Sequence, residues 1–129
     1  MSADDEDEEP LDPGAAAEGA RRASEVVGGG LASELATLAA TDPDVEVRAA
    51  PGVTEYAVGD VVFATVDGRG VSGSFRLRPE IAMAALRTGG VRRSERGPSW
   101  VTFEPRVWDR YALDRATAWF ELGRKLAAG

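Results

Sequence analysis

The chain has 129 residues, 43% of them hydrophobic and 29% charged, with no Cys, no His and a formal net charge of -7, a composition that suits one globular domain and leaves no room for a second. Without Cys there are no disulfides, thiol nucleophiles or thiolate metal sites, and without His the commonest general base and the commonest zinc ligand are missing. The acidic start, Met1 to Pro13, has no apolar segment to act as a signal peptide, and no stretch approaches the roughly 18 apolar residues of a membrane span, so the expectation is a cytoplasmic protein with no membrane partner.

The charge is divided unevenly. Residues 1–20 carry Asp4, Asp5, Glu6, Asp7, Glu8, Glu9, Asp12 and Glu18 and no base, whereas the rest of the chain sets 14 acids against 15 bases. The acidity therefore belongs to the tail rather than to the folded surface. Arg outnumbers Lys 14 to 1, a ratio that a GC-rich bacterial genome accounts for.

In chain order, residues 1–22 combine an acid run with Pro10, Pro13 and Gly14, which is too little apolar surface to offset the entropy of ordering. They are expected to be a disordered acidic tail, with residues 23–129 forming one α+β domain. Gly28-Gly29-Gly30 reads as a hinge, because each Gly costs about 1 kcal/mol relative to Ala inside a helix. Leu31, Leu35, Leu38 and Ala39 then repeat at i, i+4, i+7 and i+8, the period of a helix with one apolar face. Thr41-Asp42-Pro43 stops it, since Pro disfavours helical geometry in the residue before it.

Strand signals follow. Asp44 to Arg48 reads as an edge strand, Ala50-Pro51-Gly52 as a turn, and Glu55 to Val58 meets Val61 across Gly59-Asp60 as in a tight hairpin. Val61 to Val66 and Val71 to Leu77 are β-branched and aromatic runs joined by Asp67-Gly68-Arg69-Gly70, a second hairpin. The second run alternates, with Val71, Gly73, Phe75 and Leu77 on one face and Ser72, Ser74 and Arg76 on the other, so one face is core and the other wet. Pro79-Glu80 opens a short helix with Ile81, Ala82, Ala85 and Leu86 inward and Gly89-Gly90 at its end. Val91 to Pro98 is a polar loop or poor edge strand, and Trp100 to Phe103 a compact strand closed by Pro105. In the last helix Asp109 is the cap, and Ala112, Leu113, Ala116, Trp119, Phe120, Gly123, Leu126 and Ala127 form the apolar stripe. Arg110 with Asp114, and Glu121 with Lys125, are i,i+4 pairs on its exposed side. Helices interleaved with antiparallel strands predict an α+β two-layer sandwich, an antiparallel sheet covered by helices.

Val58-Gly59, Phe63-Ala64, Phe75-Arg76-Leu77 leading into Pro79-Glu80, and Gly97-Pro98-Ser99-Trp100-Val101 before the closing helix together resemble the YjbR/MmcQ family of small bacterial proteins over about Leu31 to Leu126. A luciferase-domain-like family of short bacterial proteins shows a similar layout toward its Gly-Trp-Val segment. The resemblance implies a YjbR/CyaY-like two-layer build and the DNA-binding label the YjbR family carries. A Lys that often precedes the family's Phe-Ala is replaced here by Val61 and Val62.

Few residues point to chemistry. Asp67-Gly68-Arg69-Gly70 lacks the Lys-Ser/Thr and following helix of a phosphate loop, and Ser72 and Ser74 have no His to act as base. Asp42 and Asp44 read as solvated loop acids, because calcium needs six or more oxygens. Trp100, Phe103, Trp119 and Phe120 are spaced to pack a strand face against a helix face, while Trp108 reads as half-exposed, either a contact residue or a staple onto Ala112 or Leu113. The remaining signal is basic: between residues 69 and 96 stand Arg69, Arg76, Arg78, Arg87, Arg92, Arg93 and Arg96 against Glu80 and Glu95. Arg presents a rigid fork of donors matched to phosphates and carboxylates. The expectation is a non-catalytic binding or interaction domain, with no cofactor and no metal, that takes an anion or an acidic protein segment through this stretch. The alternative is a YjbR-like nucleic-acid-binding protein whose acidic tail competes for the arginines. An enzyme or small-molecule binder would instead need a deep pocket between sheet and helices.

Overall fold

The structure, a computed structural model, describes residues 30–129. The expected disordered tail over residues 1–22 and the hinge at Gly28-Gly29 lie outside the described residues. Gly30, expected in that hinge, is already helical.

Helix α1 occupies residues 30–40 among those described. It buries Leu31, Leu35 and Ala39 completely or nearly so, as the i, i+4, i+8 spacing requires. Thr41 ends it by donating both its backbone N–H and its hydroxyl to the Leu38 carbonyl, at 3.3 and 2.9 Å, and an Asp42 carboxylate oxygen then accepts the Asp44 N–H at 3.0 Å. Six strands follow: β1 (Val45–Ala50), β2 (Val53–Val58), β3 (Val61–Asp67), β4 (Gly73–Arg76), β5 (Val91–Arg93) and β6 (Trp100–Phe103). Helix α2 (Pro79–Ala85) lies between β4 and β5, and α3 (Arg110–Ala128) closes the described chain.

All neighbouring strands are antiparallel, in the spatial order β1-β2-β3-β4-β6-β5. The first four strands are successive hairpins. The excursion through α2 then carries the chain past the β6 position, so that β5 becomes the outer edge and β6 returns beside β4. The expected polar stretch after Val91 is thus a short edge strand, Val91–Arg93, pairing with β6. The turn after β3 is held by Asp67, whose carboxylate accepts the Val71 and Ser72 N–H groups at 2.9 and 3.1 Å, and Gly70 supplies the positive φ of 74° that the reversal needs.

The three helices of the described residues pack on one face of the sheet, which makes the α+β two-layer sandwich. The core joins Leu31 and Leu35 of α1, Tyr56, Phe63, Val66, Phe75, Val101 and Phe103 of the sheet, Ala82 and Ala85 of α2, and Leu113, Ala116, Trp119 and Phe120 of α3. Its aromatic rings meet edge to face: Phe120 with Tyr56 at 5.3 Å and with Phe63 at 5.0 Å, and Phe103 with Trp119 at 5.3 Å, geometries worth about 0.5 to 1.5 kcal/mol each beyond area burial. Burial holds the Tyr56 phenol above its ordinary pKa. Helix α3 comes down so closely that a Cβ at Gly123 would stand 2.9 Å from the Arg76 carbonyl oxygen and 3.2 Å from that of Phe63. Phe63 reaches the helix because β3 is irregular there: Tyr56 pairs with Ala64 but Ala57 with Val62, so Phe63 is the extra residue of a bulge.

Two expectations about the aromatic residues are corrected. Trp108 is 1% exposed. Its ring packs edge to face on Phe103 at 5.2 Å and its indole N–H donates to the Val71 carbonyl at 2.9 Å, so it pins the start of α3 to the β3–β4 connection instead of facing a partner. Trp100 is buried but outside the core. It pairs with Arg76 across the ladder and alternates with Val101 and Phe103, which puts it on the face away from the helices. Of the two i,i+4 pairs expected on α3, Arg110–Asp114 closes at 3.3 Å.

Candidate functional site

The face that the helices leave bare is built by the same two-residue period that fills the core. One row crosses the sheet in register: Arg48 opposite Glu55, Glu55 opposite Thr65, Thr65 opposite Ser74, Ser74 opposite Thr102, and Thr102 opposite Arg92. Its middle is a run of hydroxyls. Ser74 and Thr102 are hydrogen-bonded to each other at 2.8 Å, and Thr65 and Thr102 are buried at 5% and 7% exposure. Small hydroxyl side chains keep the centre of the face low, while Arg and Glu at the ends of the row stand high.

The segment after β5 overhangs this row. Its backbone is turned by Ser94 and Gly97: the Ser94 N–H donates to the Trp100 carbonyl at 3.2 Å, the Trp100 N–H to the Gly97 carbonyl at 3.1 Å, and the Arg96 N–H to the Ser94 hydroxyl at 3.1 Å. The turn aims Arg96 back across the sheet. Its guanidinium lies 5.0 Å from the centre of the Trp100 ring and donates to the Glu55 carboxylate at 3.0 Å, so one arginine arches from the β5–β6 connection to β2. Beneath it lies a cleft of about 550 Å³ lined by Val53, Thr65, Ser72, Ser74 and Thr102 and by Arg92, Arg93, Ser94, Glu95 and Arg96.

Arg92 also borders a second cleft of about 390 Å³, with Arg69, Val71, Glu104, Pro105, Arg106 and Trp108. Glu104 sits between two arginines, 3.4 Å from Arg92 and 3.9 Å from Arg69. These are exposed pairs, each worth about 0 to 1 kcal/mol, so an incoming anion exchanges partners with them at little cost.

The seven arginines singled out from the sequence therefore do not make one surface. Arg92 and Arg96 converge on the hydroxyl cleft, which Arg93 borders although its pairing with Val101 puts its side chain on the helix side; Arg69 and Arg92 meet at the second cleft, and Arg76 stands on the open face opposite Trp100. Arg78 lies elsewhere, in a hollow with Ile81, Leu122, Lys125 and Leu126, and Arg87 is exposed just beyond α2. A run of residues 69–96 spans β4, α2 and β5, and those elements distribute its side chains to both layers. Sequence reading missed Thr65, Thr102, Glu55, Glu104 and Arg106. The alternation of Thr102 with Val101 and Phe103 was a usable signal for one of them; the others depend on strand order.

A further ion pair ties the helix layer to the chain before β1. The Arg124 guanidinium donates to the Asp42 carboxylate at 2.7 Å and reaches Asp44 at 3.3 Å, and its hydrogen bond holds the Asp42 carboxyl below the ordinary 3.8. Asp42 and Asp44 are thus committed to tying α3 to the α1–β1 connection. Among the described residues no group of three or more acidic side chains is placed to hold a metal ion, and no helix is long and apolar enough to cross a membrane.

Comparison with protein-family models, curated proteins and solved structures finds no match to this chain.

Proposed function

We propose that the protein is a non-catalytic binding domain that takes a carboxylate-bearing segment of an acidic protein partner on the open face of its sheet. The observation that carries this reading is the cleft itself: Thr65, Ser72, Ser74 and Thr102 hydroxyls on the floor, Arg92 and Arg96 at the rim. Hydroxyls donate and accept as needed, and Arg forks match a carboxylate with two parallel bonds. The site offers no His or Cys to move protons or attack a carbonyl, and its acids Glu55 and Glu104 are engaged by arginines.

The YjbR/MmcQ resemblance favours nucleic acid as the anion instead. The scattering of the arginines weighs against it, because a duplex footprint is a continuous stripe of cations along the phosphates. An extended acidic peptide fits a short recess better.

Isothermal titration of the full chain with a glutamate-rich peptide, and separately with a single-stranded and a duplex oligonucleotide, tests the reading. The peptide is expected to bind, and Arg92→Ala with Arg96→Ala to weaken it by at least tenfold. Removing residues 1–18, with their eight acids, should strengthen binding most at low salt, since a tethered polyanion competes at high effective concentration and is screened beyond about 8 Å at physiological salt. Oligonucleotide binding that exceeds peptide binding would replace this proposal with the nucleic-acid reading.

A further inference from the structure

The two edges of the sheet are treated differently. β5 is three residues long, carries Arg92 and Arg93, and is flanked by a backbone bond from the Glu104 N–H to the Gly90 carbonyl at 2.8 Å. Short length and exposed charge are ordinary ways of closing an edge to other strands. β1 is not short, and its charges, Glu46 and Arg48, are of opposite sign, so they do not repel a second copy of the strand. It is six residues long, Val-Glu-Val-Arg-Ala-Ala, without Pro, Gly or bulge, and among the described residues it pairs with β2 alone. Val47, at its centre, is 56% exposed.

The free side of β1 can be read from its register. Pro51-Gly52 is a two-residue connection closing on Ala50 and Val53, so that pair is hydrogen-bonded, and bonded and non-bonded pairs alternate from there. Ala50, Arg48 and Glu46 therefore turn their backbone groups toward β2, while Ala49 and Val47 turn theirs outward. The Gly59-Asp60 connection gives the same phase independently, since it closes on Val58 and Val61 and so directs Val58 away from its partner Val45.

We infer that β1 pairs with β1 of a second copy of this chain, antiparallel and centred on Val47, joining two six-stranded sheets into one. A two-fold axis at Val47 makes the contact isologous. The outward N–H and C=O of Val47 then meet those of the other Val47, and Val45 falls opposite Ala49. On the open face Glu46 falls opposite Arg48 of the other copy, and Arg48 opposite its Glu46. The Val45 N–H is already taken by the Asp42 carbonyl at 3.1 Å, so the new backbone bonds centre on the Val47 pair, and the strand is self-complementary there, in apolar contact and in charge. Within one chain Glu46 and Arg48 already form a 2.7 Å bridge, so the paired state turns two bridges into an alternating row of four charges.

Sedimentation equilibrium of the full chain at physiological salt, from micromolar to millimolar protein, tests the pairing. The expected result is a reversible dimer. Val47→Pro should be monomeric with an unchanged melting temperature, because the N–H it loses faces away from β2 and Pro is tolerated at such edge positions. Glu46→Arg and Arg48→Glu should each weaken the dimer by roughly fivefold to tenfold, since like charges then stand opposite each other, and the double exchange should restore it. A wild-type chain that stays monomeric throughout, a Val47→Pro chain that dimerises like the parent, or a double exchange no better than the singles would each overturn the inference.

Discussion

The two faces of this sheet are made from alternate residues of the same strands, yet they are held by different physics. Along β6, Val101 and Phe103 enter the helix layer, where Phe103 is packed between Trp108 and Trp119, while Trp100 and Thr102 face outward under the Arg96 arch. The covered face is fixed by shape: rings edge to face, helix backbone on sheet backbone at Gly123. The open face is fixed by exchangeable polar contacts, a hydroxyl pair and exposed ion pairs. A surface built that way changes partners at little cost to the fold, which is what a binding face requires.

That contrast can be broken by measurement, the largest effect first. Phe103→Ala leaves a cavity between α3 and the sheet and is expected to cost about 3 to 5 kcal/mol in denaturant unfolding; a loss under about 1 kcal/mol would show that the covered face is not the rigid one. Gly123→Ala should cost roughly 1 to 3 kcal/mol, because the added methyl meets backbone carbonyls that cannot swing aside, and a melting temperature equal to the parent's would mean that α3 rides higher above the Arg76 and Phe63 carbonyls than a close contact allows. On the open face the changes should be smaller. Ser74→Ala and Thr102→Val should each lose about 0.5 to 1.5 kcal/mol, with the double variant losing less than the two together, since they share one hydrogen bond. Strict additivity would dissolve the pair.

The smallest effect is the dependence on acid. Arg124 lowers the folded-state pKa of Asp42 from its ordinary 3.8, so the stability this pair contributes is complete above the unfolded value and is lost as pH falls through the lower, folded one. Asp42→Asn should therefore melt below the parent at neutral pH and converge with it only once the pH has fallen below the lowered folded-state value, where Asp42 is protonated in both states. A gap that persists in strong acid would point to packing rather than charge.

Much of the architecture was legible in the chain because it rests on local rules. Leu31, Leu35 and Ala39 announce α1 by their spacing, Gly59-Asp60 and Asp67 to Gly70 announce two hairpins by residues that tolerate the required turns, and Asp109 caps α3 by accepting the Ala112 N–H at 2.9 Å. Period and turn chemistry act within a few residues, so sequence by itself determined most of the elements, their order and the α+β class, while β5 was left between loop and edge strand. What only the tertiary structure decided is everything that depends on which strands become neighbours. β6 inserts between β4 and β5, which sets Thr102 beside Ser74 across 28 positions and carries Arg96 to Glu55 across 41. The same step divides a single run of arginines among separate clefts. Trp108 looked half-exposed because its acceptor, the Val71 carbonyl, is 37 positions away, and Trp100 looked like core because its helical cover lies over the neighbouring residue instead. Local propensity is a property of a window of the chain, whereas a site is a property of distances closed by the whole core, and no window contains them.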